Sequence, residues 1–339
     1  MLELLWAWLP FLISAVAVAA AGYGLCRHGE RVGHALGLGG SWVGLAMIAA
    51  ITSLPELVTG LSAVSIAHAP NVALGDGLGS CVINLGFLVV ADFLLRGEPL
   101  YRVASASHML SAAFGVVMLA TIGLGLILGH APGPGQALPG GIGVSTPLLI
   151  VLYLVALRTS FRYERARVAD SAAVVDAAAR RADLRASLPR FAAAALVVAL
   201  AGSWLPGAAV QLARVMHWNN SFVGTVFVAA ATSLPELAVT LSALRMRALD
   251  LAVGNLLGSN LFNAVIVAID DIAWRRGPLL AQVSVLHAVT VMSALAMTGL
   301  ALIGLFYRPG ARVLRSVGWV SIGMACVYVF NAYVVYLHG

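Results

Sequence analysis

The chain has 339 residues, of which 61% are hydrophobic and 10% charged, against about 25% charged in a soluble globular domain. That composition excludes an ordinary soluble fold. The formal net charge of +6 comes from twenty arginines with no lysine, and their placement in short loops between apolar runs speaks for membrane orientation rather than nucleic-acid binding. Cys26, Cys81 and Cys326 form no CxxC pair, so neither a disulfide framework nor a zinc site is indicated.

Apolar stretches long enough to cross a bilayer recur along the whole length. Ten helices fit, near 4–26, 40–66, 71–95, 104–129, 143–160, 190–213, 219–245, 249–273, 280–306 and 312–336. The first run lacks a basic flank and a cleavage site of small residues, so it reads as a retained helix and not a signal peptide. Trp6, Trp8 and Trp274 suit the aromatic belts of a membrane interface.

The second helix carries Thr52-Ser53-Leu54-Pro55-Glu56-Leu57, and the seventh repeats it as Thr232-Ser233-Leu234-Pro235-Glu236-Leu237. A carboxylate at membrane depth is costly and marks a functional site by default. The third helix brings Gly75-Asp76-Gly77-Leu78-Gly79-Ser80-Cys81 and then Asn84; the eighth answers with Gly254-Asn255-Leu256-Leu257-Gly258-Ser259-Asn260 and Asn263. The chain is therefore internally duplicated. A Pro/Gly loop spans 130–141, and the stretch 161–188 is the long polar connection, rich in arginine and alanine.

Three units follow: 1–160 with helices 1–5, a cytosolic loop over 161–189, and 190–339 with helices 6–10. With the N-terminus outside, seventeen arginines fall on the cytosolic side and three, Arg214, Arg275 and Arg276, on the other. Both termini then lie outside the cytosol. An odd number of helices per half makes the second half enter the membrane the opposite way, an inverted repeat of the kind secondary transporters use. The expected fold is an all-α polytopic membrane protein of ten helices in two inverted five-helix repeats.

Proline has no N–H and clashes with the carbonyl four residues earlier, so Pro55 should free the carbonyl of Ile51, and Pro235 that of Ala231. Thr52, Ser53, Thr232 and Ser233 add hydroxyl oxygens on the same turns, with Glu56 and Glu236 one turn on. Ser80 and Asn84 share one helix face, as do Ser259 and Asn263. The result is a cluster of carbonyl, hydroxyl and carboxylate oxygens, which hard cations such as calcium, sodium and magnesium prefer. Asp76 has the neutral Asn255 as its counterpart in the other repeat and either lines an ion path or does not; Asp92 reads as a helix-end or ion-pairing residue beside Arg96. The eight histidines show no metal-ligand spacing and read as structural or interfacial.

At these residues the chain resembles the calcium/cation antiporter superfamily, and more closely the prokaryotic sodium/calcium exchangers. The duplicated Thr-Ser-Leu-Pro-Glu-Leu and the Gly-Asn-Leu-Leu-Gly-Ser-Asn of 254–260 look like that family's paired repeats. The resemblance implies alternating access in a prokaryotic inner membrane, with calcium expelled against sodium entry. Calcium and sodium are then the transported ions, and membrane lipid the surroundings. No cofactor, enzymatic activity or nucleic-acid partner is implied. It makes Glu56 and Glu236 the central ligands, with Thr52, Ser53, Ser80, Thr232, Ser233 and Ser259 around them. Carbonyls near Ala49 and Ala229 complete the sites, and Asn84 and Asn263 take the central polar positions. Two departures stand out: Asp76 and Cys81 replace usual asparagines, and both central positions are neutral where an aspartate is common. Two carboxylates balance one divalent cation. Buried glutamates also hold protons, so proton coupling is the other reading. A passive channel fits an inverted repeat poorly. A protease is opposed by the missing Gly-x-Gly-Asp and HExxH patterns.

Overall fold

The computed structural model describes residues 2–35, 48–95, 99–132, 137–165, 177–310, 312–313 and 317–338. Its long helices are α1 (Leu2–Ala35), α4 (Pro70–Leu94), α6 (His108–His130), α7 (Ser145–Arg165), α8 (Ala177–Met216), α12 (Leu249–Ala273), α13 (His287–Tyr307) and α14 (Trp319–His338). Among the described residues eight helices are long and apolar enough to cross a membrane. Shorter pieces are α2 (48–52), α3 (Leu54–Ser65), α5 (Leu100–Val103), α9 (Asn220–Phe222), α10 (Ala229–Thr232) and α11 (Leu234–Arg245). A π-helical segment, Val223–Val228, joins α9 to α10. The run Asn220–Thr232 and α11 form a further apolar pair bent by 45°.

Burial sorts these helices. The spans of α4 and α12 are mostly buried, whereas those of α1, α7, α8 and α14 are buried over a third or less of their length. Trp6, Leu9, Leu200, Trp204 and Phe306 stand exposed on that outer surface, as lipid-facing side chains must, since a water-facing patch of this extent would not persist. α1 packs along α8, and α8 in turn covers α3 and the π segment. Of the tryptophans expected in an interface belt, Trp6 is exposed, but Trp8 packs edge-on against Phe11, Trp218 and Phe227, and Trp274 is buried beside His68. Those two fill packing gaps between helices instead.

Helix starts differ from the expected bounds for a visible reason. α13 begins at His287, after a 3-10 turn at Leu279–Ala281, and α14 begins at Trp319, directly after a short strand at Val317–Gly318. Asp271 accepts from the N–H of Leu279 (2.6 Å) and of Gly143 (2.8 Å) and from the Thr146 hydroxyl. Asp92 accepts from the N–H of Leu100 (3.0 Å), the N–H of Gly318 (2.9 Å) and the Ser321 hydroxyl (2.7 Å). Asp92 is thus a helix-end anchor; Arg96 lies outside the described residues. A second matched pair does the same work elsewhere. Asp250 accepts from the Ser105 N–H (2.7 Å) beside His108 Nε2 (3.1 Å), while Asn71 accepts from the Ser284 N–H (2.7 Å) beside His287 Nε2 (3.2 Å). All four anchors obey the spacing of 179 that relates Gly75 to Gly254 and Asn84 to Asn263; the two Pro-Glu motifs are 180 apart. A two-stranded pair, β1 (Arg312–Val313) and β2 (Val317–Gly318), precedes α14. α8 starts within the expected polar loop; residues 166–176 lie outside the described set.

Candidate cation site

Each Thr-Ser-Leu-Pro-Glu motif breaks its helix at the serine. Pro55 and Pro235 sit in the first turn of α3 and α11, where a missing N–H costs nothing. Ser53 (φ −90°, ψ 12°) and Ser233 (φ −84°, ψ 3°) take the sparsely populated bridge conformation between the half-helices. Glu56 and Glu236 then fall in the first turn of the new helices, where the positive end of the helix dipole favours a carboxylate.

The spacing Ser-x-x-Glu is also that of a capping box, in which serine would cap its own helix. Neither serine does so. Ser53 Oγ donates to Glu236 Oε1 (2.9 Å) and Ser233 Oγ lies 3.1 Å from Glu56 Oε1. Each half of the chain therefore serves the carboxylate of the other. Sequence reasoning missed this exchange; the capping-box spacing alone points to a local bond.

The surrounding groups follow the same cross-over. Ser80 Oγ is 3.4 Å from Glu56 Oε1 and 3.0 Å from Ser233 Oγ. Thr52 Oγ1 lies 3.1 Å from Ser259 Oγ and 3.4 Å from Asn255 Oδ1, and Thr232 Oγ1 donates to Asp76 Oδ1 (2.8 Å). Glu56, Glu236, Thr52, Ser53, Thr232, Ser233, Ser80, Ser259, Asn84 and Asn263 are all fully buried. The structure brings Asp76 into the cluster through Thr232. Asn84 Nδ2 donates to Asn260 Oδ1 (3.1 Å), and Asn260 Nδ2 to the Cys81 carbonyl (3.1 Å). Cys81 and Asn260, matched positions of the two repeats, thus meet at the centre of the bundle, a contact that the 179 spacing could have suggested.

The carbonyls of Ala49 and Ala229 are engaged. Ala49 O accepts from the Ser53 N–H (3.1 Å) and the Thr52 hydroxyl (2.9 Å); Ala229 O accepts from the Ser233 N–H (3.0 Å) and lies 3.2 Å from Thr232 Oγ1. Ligation there requires the threonine hydroxyl to turn toward the ion as well. By contrast, Glu56 Oε2, Glu236 Oε2 and both amide atoms of Asn263 are buried with no partner among the described residues. Buried polar groups are ordinarily satisfied, and a bound cation would supply the partner that these oxygens lack. Among the described residues no three His, Cys, Asp or Glu side chains form a metal cluster. A cation here must take hydroxyl and amide oxygens as well as carboxylates.

Close approach of backbones holds the cluster together. A Cβ on Gly79 would stand 2.3 Å from the Thr225 carbonyl oxygen, and one on Gly75 2.9 Å from the Thr225 nitrogen. Glycine there lets α4 touch the π segment and puts Ser80 beside Ser233. A cavity of about 50 Å³, lined by Ala49, Ala50, His108, Tyr153 and Gly258 among others, adjoins the cluster. That volume admits a few waters.

The chain was compared with known families, proteins and structures. A family model described as sodium/calcium exchanger protein matches residues 6–164 and 187–337. The inner membrane protein YrbG of Escherichia coli is 28% identical over 265 residues, covering 75% of this chain and 77% of that protein. The uncharacterized membrane protein MJ0091 of Methanocaldococcus jannaschii is 25% identical over 238 residues, 68% of this chain and 70% of its own length. Among solved structures, an H+/Ca2+ exchanger CAX aligns with a TM-score of 0.71 at 14% identity, over 98% of this chain and 85% of that one. The sodium-calcium exchanger NCX_Mj aligns with a TM-score of 0.60 at 21% identity, over 96% of both chains. At these identities the structures show a shared fold. The family match covers most of the chain, and the protein belongs to the sodium/calcium exchanger family.

Proposed function

We propose that the protein is a calcium exporter that works by alternating access, with sodium entry as the driving flux and Glu56 and Glu236 as the shared ion ligands. Membership of the exchanger family makes it a membrane cation antiporter. In this reading ten helices form two inverted five-helix repeats, both termini lie outside the cytosol, and the membrane is a prokaryotic inner membrane. The arginine split and the matched anchors of the two halves support that arrangement.

The observation that carries the proposal is the reciprocal pairing of Ser53 with Glu236 and Ser233 with Glu56, which leaves one buried oxygen of each carboxylate unclaimed. Two carboxylates neutralise one calcium ion, and the oxygens of Thr52, Ser53, Ser80, Thr232, Ser233, Ser259, Asn84, Asn263 and the carbonyls of Ala49 and Ala229 offer more donors than the 6–8 that calcium takes. Sodium accepts the same oxygens, so occupancy by one ion excludes the other, and that exclusion is the coupling. The cavity beside Ala49, His108 and Tyr153 supplies cytosolic access. Once an ion neutralises the site, α1 and α8, which lie against the half-helices, slide past it.

Proton coupling is the second reading, because a carboxylate that lacks a partner also takes a proton. Calcium flux into proteoliposomes separates the two. An imposed sodium gradient is expected to drive calcium against its own gradient, whereas a pH gradient alone is not. Flux under the pH gradient and none under sodium would reverse the assignment of the counter-ion.

A further inference from the structure

Two further carboxylates lie beside the central pair, and the exchange between Glu56 and Glu236 leaves both unused. Asp76 on α4 is fully buried; its Oδ1 holds the Thr232 hydroxyl and its Oδ2 has no partner among the described residues. Asp270 on α12 is 1% exposed, and its Oδ1 likewise has none. Both flank one contact between the two helices. A Cβ on Gly77, next to Asp76, would lie 3.7 Å from Asn263 O and from Val267 Cγ2. Asp270 follows Val267 by three positions on the same face of α12.

The third wall is α3. Gly60 lies one turn beyond Glu56, and a Cβ there would stand 2.6 Å from Asp270 Oδ2. The absence of a side chain at Gly60 is what admits the carboxylate. Asp271, the remaining acid near Asp270, is occupied as a loop anchor.

Duplication did not produce this pair. The repeat spacing of 179 puts Asn255 at the position of Asp76 and Ala91 at that of Asp270, and the spacing of 180 puts Thr240 at that of Gly60. Each half carries one of the two acids, the first half also carries the glycine that makes room, and both acids stand toward the same end of the bundle, that of Ser65, Pro70 and Ala273.

We infer that Asp76 and Asp270 form a second position for a hard cation, sodium or calcium, which an ion approaching from the Ser65 and Ala273 end meets before Glu56 and Glu236. The inference rests on the antiport reading above. In the orientation proposed there, that end is extracytosolic. Two carboxylate oxygens and the Thr232 hydroxyl are too few for calcium's usual shell, so the ion keeps part of its water at this position and sheds it on reaching the central oxygens.

Equilibrium binding of radiolabelled sodium and of radiolabelled calcium to the purified full-length protein in detergent tests this. Glu56→Gln with Glu236→Gln removes the central charge. That variant is expected to keep a residual site, and adding Asp270→Asn is expected to abolish the residual binding or weaken it by about tenfold or more, the effect of 1.4 kcal/mol. The label that shows the residual site identifies the ion. If Asp270→Asn does not yield folded protein, Gly60→Ala in the same background, which displaces the carboxylate, carries the same expectation. No residual binding with either label, or residual binding unaltered by these changes, overturns the inference. Proton uptake that changes without any change in metal binding overturns it too. A wild-type protein that binds neither ion would instead overturn the antiport reading itself.

Discussion

Glu56→Gln is expected to abolish calcium exchange, cutting flux by about 100-fold or more, while the protein inserts and folds. The magnitude follows from removing one charge of a buried, desolvated interaction, which costs about 2–5 kcal/mol. Glutamine keeps the volume of glutamate, and its carbonyl oxygen still accepts from Ser233 and Ser80, whose hydroxyls lie 3.1 and 3.4 Å from Glu56 Oε1. What it loses is the negative charge and the unclaimed oxygen Oε2. Glu236→Gln should behave alike, since Ser53 approaches Glu236 Oε1 in the matched way. Radiolabelled calcium uptake into proteoliposomes, normalised to inserted protein, is the measurement. Wild-type rates in both variants would remove these residues from the transport site.

Gly79→Val is expected to destabilise the protein by about 3 kcal/mol, the top of the usual overpacking range, and to stop transport. The new Cβ would meet the Thr225 carbonyl oxygen at 2.3 Å and Ala229 Cβ and Thr225 Cα at 2.8 Å. Backbone atoms cannot rotate out of the way, so α4 must separate from the π segment and carry Ser80 away from Ser233. Gly299→Ala on α13 is the control. No heavy atom of the described residues lies within 4 Å of a Cβ placed there, and alanine in a helix is neutral or up to about 1 kcal/mol stabilising. Thermal unfolding in detergent compares the two. Equal unfolding temperatures for both variants would show that this close approach is not needed.

The parts of the fold that depend on composition and duplication were readable from the residues. The eight long spans lie on expected apolar runs, although several starts shift, and each Pro-Glu motif lies at a helix break. Lost from view was whatever depends on which element faces which. Ser53 is three residues before Glu56, so local reasoning pairs them; only tertiary contact shows that its partner is Glu236. Asp270 escaped for another reason. Its repeat counterpart is Ala91, and a search guided by duplication passes over residues that one half acquired alone. The histidines illustrate the reverse case. His108 and His287 obey the repeat spacing and read correctly as structural, but their acceptors, Asp250 and Asn71, lie 142 and 216 positions away along the chain. Trp274 read as an interfacial residue, yet the fold buries it against His68.

In the proposed antiport two ions share one pair of carboxylates in turn. Calcium binding to the purified protein, titrated against rising sodium, measures that sharing without any need for transport. Competitive displacement is expected, with the apparent calcium affinity falling as sodium rises and no calcium left bound at saturating sodium. Calcium that stays bound with unchanged affinity at saturating sodium would contradict the shared site, because the two ions would then occupy separate ligands and neither could drive the other.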